Sequence, residues 1–506
     1  MVLNLFALLA CAAAWIAVLW LAIMPDFTKW THPGIISLHA FPPLAIWLIW
    51  AVIRRRNREK ESKEALAREQ QAQAEREAVR EAARKKHDEA MRQRRFSCDC
   101  RAVTIAGIAL NSELPLLNVA TENIEVQSRP VEEALAAAAN SVLDRLAPAI
   151  RDALASLYNT CGTAAAFPIF ILPPSDVSGE ETQAVVRSAY DDIIEKSGLR
   201  NALGTSSPPI LFLPSTDSAA DSAIALFDST SDLPGAVMLA FDSPLSRVSA
   251  RAPDGDIDPD LQKRERQAGK PSEGVIALLL TNPDLTSMLK AIDSIDNQAA
   301  DHDSMTPYWQ KSLQAEGYLA FLSRASRELR SELAQLPVLG QIRRAAFRAA
   351  PVRPAGMLEM TRLMQESLEQ AQINAGIIEL PFAHDGAMAT EPVRETAAEQ
   401  QAATAPTPGI CRRLVHNAGG VDYAGKRLAA LGSAMHYFNI DLNPVDIEMS
   451  TNIATQVGDL GRAAGIGQLA LGVAHAADTG SPALCAEFLD HGGFAFAFIT
   501  PIAAES

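Results

Sequence analysis

Gly235-Ala236-Val237-Met238-Leu239-Ala240-Phe241-Asp242-Ser243 contains a strand that ends at an acid and a hydroxyl. Ala236–Phe241 is continuously apolar, as a strand buried on both faces is. On its N-terminal side lie a helix over Ser218–Asp228, a strand at Ile210–Leu213, a helix over Gly179–Ser197 and a strand at Phe167–Leu172. Before those come an amphipathic helix over Pro130–Tyr158 and a β-type run, Val103–Leu110, which carries Gly107. On the C-terminal side Val275–Leu280 is again a strand. Strands alternating with helices predict a layered α/β fold.

The second half repeats this grammar. It predicts helices at 308–334, 339–350 and 355–376, then the segment Cys411–Val415. A helix over Gly425–Phe438, a helix over Ala463–Asp478 and strands at Ala483–Phe488 and Phe494–Ile499 follow. Residues 385–408 and 251–272 are polar and read as exposed loops. The body therefore reads as two related halves, 96–300 and 301–506.

The 506 residues carry a net charge of −15, unevenly spread. Residues 1–53 hold one acid and one base, Asp26 and Lys29. Residues 54–95 hold 15 bases and 9 acids, and the remainder nets −21. An acidic body argues against nucleic acid as a partner, since phosphate binding needs clustered Lys and Arg.

Val2–Met24 and Ile35–Ile53 are uncharged runs, each long enough to span a bilayer as a helix. Polar and turn-forming residues from Pro25 to Gly34 separate them, and Pro42-Pro43 would kink the second. Val2–Met24 lacks the basic n-region of a cleaved signal peptide. Arg54-Arg55-Arg56 follow the second run, so the positive-inside rule puts both termini in the cytoplasm. The expectation is a two-pass anchor, 1–53, in a bacterial inner membrane, with a charged helical stalk over 54–95. The stalk is a solvated spacer or, through its +6, a contact for anionic headgroups.

Six cysteines exclude a disulfide scaffold. Cys98-Asp99-Cys100 offers two thiols where a zinc site needs four ligands, so no metal is expected. No cofactor is expected either. Gly204-Thr205-Ser206-Ser207 and Gly465-Ile466-Gly467 lack the Lys or the preceding strand of a phosphate loop.

Five motifs in order resemble the thiolase-like superfamily, specifically the β-ketoacyl synthases. They are Val103–Leu110, Gly235–Ser243, Pro271-Ser272-Glu273-Gly274-Val275, Gly458-Asp459-Leu460-Gly461-Arg462-Ala463-Ala464-Gly465 and Gly492-Gly493-Phe494-Ala495-Phe496. The resemblance covers about residues 101–506. It implies an αβαβα fold from two related halves, dimerisation, and a Cys-His-His or Cys-His-Asn site for acyl transfer. In such a site a thiolate sits at a helix N-terminus, where the dipole lowers its pKa.

This chain departs from that pattern at each reactive position. The nucleophile position falls on Asp217, and no cysteine lies between Cys161 and Cys411. The second His position holds Asp459, and the family's Lys is replaced by Ala454. Pairing Asn417-Ala418-Gly419-Gly420 with Asn-Ala-His-Gly puts Gly419 at the first His position, whereas a three-residue shift uses His416. Ser218 is a helix cap or a substitute nucleophile. Asp459 reads as a cap for a helix starting near Leu460.

The expected function is a membrane-tethered, catalytically inactive thiolase-like scaffold with a protein partner. The resemblance also implies a link to bacterial effector export such as type VI secretion. The alternative is an active acyltransferase or condensing enzyme using Ser218 and His416.

Overall fold

The computed structural model describes residues 2–22, 32–110, 123–136, 141–200, 207–249, 267–301, 317–350, 356–378, 411–489 and 492–502. The polar loop at 385–408 and most of the turn at 25–34 lie outside the described residues. The chain divides into two units, one carrying residues 1–86 and the other beginning at His87.

In the first unit, Val2–Ala22 is a helix of 21 residues. A second helix, His32–Arg94, joins the apolar run to the stalk over 63 residues and continues through Pro42-Pro43. Ala, Glu, Gln, Lys and Arg dominate its second half and favour helix. Among the described residues no helix is long and apolar enough to cross a membrane. Part of each expected span, residues 2–8 and 22–24 of the first and 38–40 of the second among them, has side chains outside the described residues.

The second unit is built on a 12-stranded mixed sheet. In chain order its strands are β1 (Ser97–Leu110), β2 (Ile124–Pro130), β3 (Ile169–Leu172), β4 (Ile210–Phe212), β5 (Gly235–Asp242) and β6 (Gly274–Thr281). They continue as β7 (Gly340–Arg343), β8 (Ala346–Arg348), β9 (Arg413–His416), β10 (Ser450–Asn452), β11 (Ala483–Phe488) and β12 (Phe494–Thr500). The spatial order is β10-β9-β11-β12-β7-β1-β6-β5-β3-β4, with β2 on β1 and β8 on β12.

The duplication is explicit in this order. In the first half β4, β3 and β5 run parallel, β6 is antiparallel to β5, and β1 is antiparallel to β6. In the second half β10, β9 and β11 run parallel, β12 is antiparallel to β11, and β7 is antiparallel to β12. Each half is therefore the same five-strand motif, and β1 joins β7 antiparallel at the seam.

Strand alternation sorts the core into layers. Ala236, Met238 and Ala240 of β5 share one cluster with Cys485 of β11, Ala497 of β12 and the helices Ala219–Asp228 and Ala464–Thr479. Val237, Leu239 and Phe241 face the other way, onto helices Val142–Thr160 and Gly179–Ser197. In the second half Leu484, Ala486 and Phe496 face helices Met357–Ala375 and Val421–Tyr437. One central helical layer lies between the two half-sheets, and each half-sheet has its own outer helices. This is the αβαβα layering.

Several expected elements are corrected. Residues 339–350 form β7 and β8 rather than a helix. Burial alternates with period two along β7, and Gly340 lies where a Cβ would come within 2.8 Å of Ile499. The expected helix Pro130–Tyr158 is β2 followed by helices Val131–Ala136 and Val142–Thr160. Within 308–334 the described helices are Leu319–Arg324 and Arg327–Gln335. Helix Leu285–Asp301 was not expected. Strand β1 begins at Ser97, so Cys98 and Cys100 are buried strand residues. Burial pushes both thiols up, away from the thiolate a metal requires. Among the described residues no group of three or more His, Cys, Asp or Glu could hold a metal.

Candidate functional site

The two central helices start close together. Ser218 caps helix Ala219–Asp228 with extended backbone, and its Oγ accepts from the Asp221 N–H at 3.1 Å. Thr216 Oγ1 donates to the Ser218 carbonyl at 2.8 Å and meets Ser222 Oγ at 2.9 Å. These bonds fix the chain as it enters the helix. Asp221 Oδ1 in turn accepts from Ala345 N at 3.1 Å, which docks the helix on the β7–β8 segment.

Helix Ala464–Thr479 is entered through a short 3-10 turn, Gly461–Ala463, with no side-chain cap. Asp459 lies just before it and accepts from Gly461 N at 2.7 Å. It holds this turn instead of capping an α-helix from Leu460. Its backbone also bridges to Lys270 and Ser272, at the entry to β6.

Asp242, buried at the end of β5, connects the two halves. Its Oδ1 accepts from Ser243 N at 2.8 Å and from Arg247 Nη2 at 2.6 Å, and its Oδ2 accepts from Arg462 N at 2.9 Å. Burial raises its pKa, opposed by these donors and the Arg247 charge.

A cavity of about 190 Å³ opens where the helix starts meet, lined by Asp217, Ser218, Arg462, Gly465 and Glu487 among others. Glu487 Oε2 accepts from Ala219 N, the first amide of the helix, at 3.0 Å. The first N–H groups of a helix have no intrahelical partner, so this carboxylate fills the natural anion position. Gly465 permits the approach, because a Cβ there would lie 2.6 Å from Glu487 Oε1 and 3.0 Å from Ala219 Cβ. Burial pushes Glu487 up to about 7; the Ala219 N–H opposes the shift and the Asp221 charge adds to it.

Of the residues expected from sequence, Asp217 and Ser218 line this cavity. His416, Gly419, Ala454 and Asp459 do not. His416 is fully buried, its Nε2–H donating to Pro444 O at 2.9 Å and its Nδ1 accepting from Ala418 N at 3.3 Å. Burial lowers it to about 4, so it is a neutral imidazole with both nitrogens committed. Gly419 has φ +98 and its carbonyl accepts from Asn452 Nδ2 at 3.0 Å. Ala454 is buried in the short helix Ile453–Gln456, and its carbonyl faces Gly269. Asn417 brackets Phe488, donating to its carbonyl at 3.0 Å and accepting from its N–H at 2.7 Å. The Asn417–Gly420 loop is thereby pinned beside the end of β11.

Sequence reasoning missed Glu487. The available signal was a lone acid inside the apolar strand Ala483–Phe488, a placement that demands a partner. A larger open groove of about 700 Å³ lies elsewhere, lined by Asn123, Thr160, Glu332 and Gln335 beside Leu339 and Ala477.

The cavity offers hydroxyls, two carboxyl groups and a guanidinium. The Ser218 hydroxyl is used as a cap, and among the described residues no imidazole lines the cavity beside it. Nucleophilic catalysis needs a base in hydrogen-bond reach of the nucleophile, and the groups at this helix entry that could act so are the carboxyls of Asp217, Asp221 and Glu487. Recognition by hydrogen bonds needs only the groups present.

No family model and no curated protein matches the sequence. Among solved structures, the chain is similar to an oxazolomycin ketosynthase domain from Streptomyces albus, at 12% identity and a TM-score of 0.38 over 81% of this chain and 97% of that one. It is also similar to a variant of OleA from Xanthomonas campestris, at 10% identity and a TM-score of 0.40 over 80% and 98%. A ketosynthase from module 6 of the Bacillus subtilis bacillaene synthase matches at 11% identity and a TM-score of 0.35 over 72% and 58%. With TM-scores below 0.5, the layering above rests on this chain's own strand order.

Proposed function

We propose that this protein is a membrane-tethered, non-catalytic binding module whose body has a thiolase-like α/β architecture without acyl-transfer chemistry. One observation carries the reading. At the helix start where the resemblance would put a nucleophile, Ser218 is committed to capping, and the adjacent anion position is filled by Glu487. Two uncharged N-terminal runs and the arginines after them support an inner-membrane anchor with the body in the cytoplasm. The body's −21 favours a neutral or basic protein partner. A second copy bound through the body, and a place in effector export such as type VI secretion, are the further parts of this reading suggested by the resemblance.

The test uses the full chain in detergent micelles, incubated with acyl-CoA or acyl carrier protein and read by intact-protein mass. No covalent adduct is expected. A mass gain abolished by Ser218→Ala would replace this reading with that of an active condensing enzyme or acyltransferase. Independently of loading, Ser218→Ala removes a cap and is expected to cost about 1 kcal/mol in chemical denaturation.

A further inference from the structure

We propose that the cavity between the two helix starts binds a small zwitterion carrying a primary ammonium and a carboxylate, the chemistry of a free amino acid. This ligand rests on the binding-module reading above and adds a small molecule to it. Three charged groups share the cavity without using one another. Asp217, Arg462 and Glu487 line the same space of about 190 Å³. Asp217 and Arg462 are exposed, and among the described residues neither side chain has a hydrogen-bond or ion-pair partner. Glu487, half-buried, uses Oε2 to accept from Ala219 N at 3.0 Å, and no donor reaches its Oε1 among the described residues. A carboxylate has room for about four hydrogen bonds, so Glu487 keeps acceptor capacity inside the cavity.

Charge decides the class of ligand. The helix start already has its anion in Glu487, and Asp217 adds a second negative charge. A phosphate or sulfate would therefore face two carboxylates. A simple cation would leave the Arg462 guanidinium unused and be repelled by it. A zwitterion serves all three groups. Its carboxylate takes the planar guanidinium as a two-bond fork. Its ammonium has three N–H donors, which match Asp217, Glu487 Oε1 and the Ser218 hydroxyl, whose oxygen has a second lone pair beside the one used by Asp221 N. Burial disfavours the Glu487 charge, and an ammonium beside it offsets that cost.

Size narrows the ligand further. The space lies below the roughly 300 Å³ at which pockets begin to hold drug-sized molecules, so only a few heavy atoms fit. Leu172 and Leu489 complete the wall and suit a small apolar side chain.

The experiment is isothermal titration calorimetry of the full chain in micelles with three probes. They are L-alanine, ethylamine, which lacks the carboxylate, and propionate, which lacks the ammonium. L-alanine is expected to bind at one site, about tenfold or more tighter than either truncated probe. Arg462→Gln should weaken L-alanine about tenfold without weakening ethylamine. Asp217→Asn should weaken L-alanine about tenfold without weakening propionate. Both side chains are exposed and unpartnered, so both variants should unfold at the wild-type midpoint. No saturable heat with L-alanine, ethylamine binding as tightly as L-alanine, or an L-alanine affinity unchanged in either variant would overturn the proposal. An acyl adduct in the loading experiment would overturn the binding-module reading and this ligand with it, whereas absent L-alanine heat without an adduct overturns the ligand alone.

Discussion

Glu273→Ala is expected to lower the stability of the body by about 3–5 kcal/mol, seen as a lower midpoint in guanidinium unfolding with an unchanged slope. Glu273 is fully buried at the entry to β6. One carboxylate oxygen meets Arg129 Nη2 at 2.5 Å, and the other accepts from Arg145 Nε and from Ser243 Oγ, the latter at 2.8 Å. Four elements thus converge on one side chain: β2, helix Val142–Thr160, the end of β5 and β6 itself. Truncation removes the carboxylate that faces the Arg145 guanidinium, which is 5% exposed and also donates to Ala134 O. Arg129 is 32% exposed and can turn to water, so Arg129→Ala should cost far less, about 1 kcal/mol or below. The pair Glu273→Leu with Arg145→Met should recover much of the loss, because both members of the buried pair are then replaced together. A Glu273→Ala protein as stable as the wild type would mean that Arg145 finds another partner and that the cluster does not hold these elements together.

The most legible parts of the fold were those determined by local pattern. β5, β6 and β12 are mainly continuous apolar runs, β11 is one interrupted by Glu487, and every residue of β5 and β6 is buried. The starts of helices Gly179–Ser197 and Ala219–Asp228 carried Ser178 and Ser218, whose hydroxyls cap them. β7 and β8 were misread because short strands of three or four residues cannot establish a period, and Arg343, Arg344 and Arg348 suit a helix equally well. The seam between β1 and β7 pairs residues 240 or more positions apart, which no local pattern encodes. At the candidate site, Asp217 and Ser218 were visible as a helix entry. The Glu487 contact was not, since its partner is a backbone amide and has no residue signature. His416 stood out as a rare titratable group, yet its burial on both nitrogens is a property of the loops from Ala418 to Pro444.

Gly461→Ala should cost about 3–4 kcal/mol in the same unfolding experiment, and Gly480→Ala only about 1. The two glycines make a matched pair, with φ +57 and φ +59. Alanine therefore meets a similar left-handed backbone penalty at both, about 1 kcal/mol. They differ in surroundings. At Gly480 nothing lies within 4 Å of an added Cβ, whereas at Gly461 it would sit 2.1 Å from Asp242 Oδ2 and 2.7 Å from Cγ. Asp242 cannot simply retreat, because its two oxygens hold Ser243 N, Arg247 Nη2 and Arg462 N. Moving it breaks buried hydrogen bonds to a charged group, worth about 1.5–3 kcal/mol each before relaxation. The bond to Arg462 N joins β5 of one half to the turn that carries the cavity wall in the other, so the substitution acts on the contact between halves. Equal losses at the two positions would show that backbone conformation alone requires glycine at Gly461. A larger loss at Gly461 would assign the excess to the Asp242 bridge.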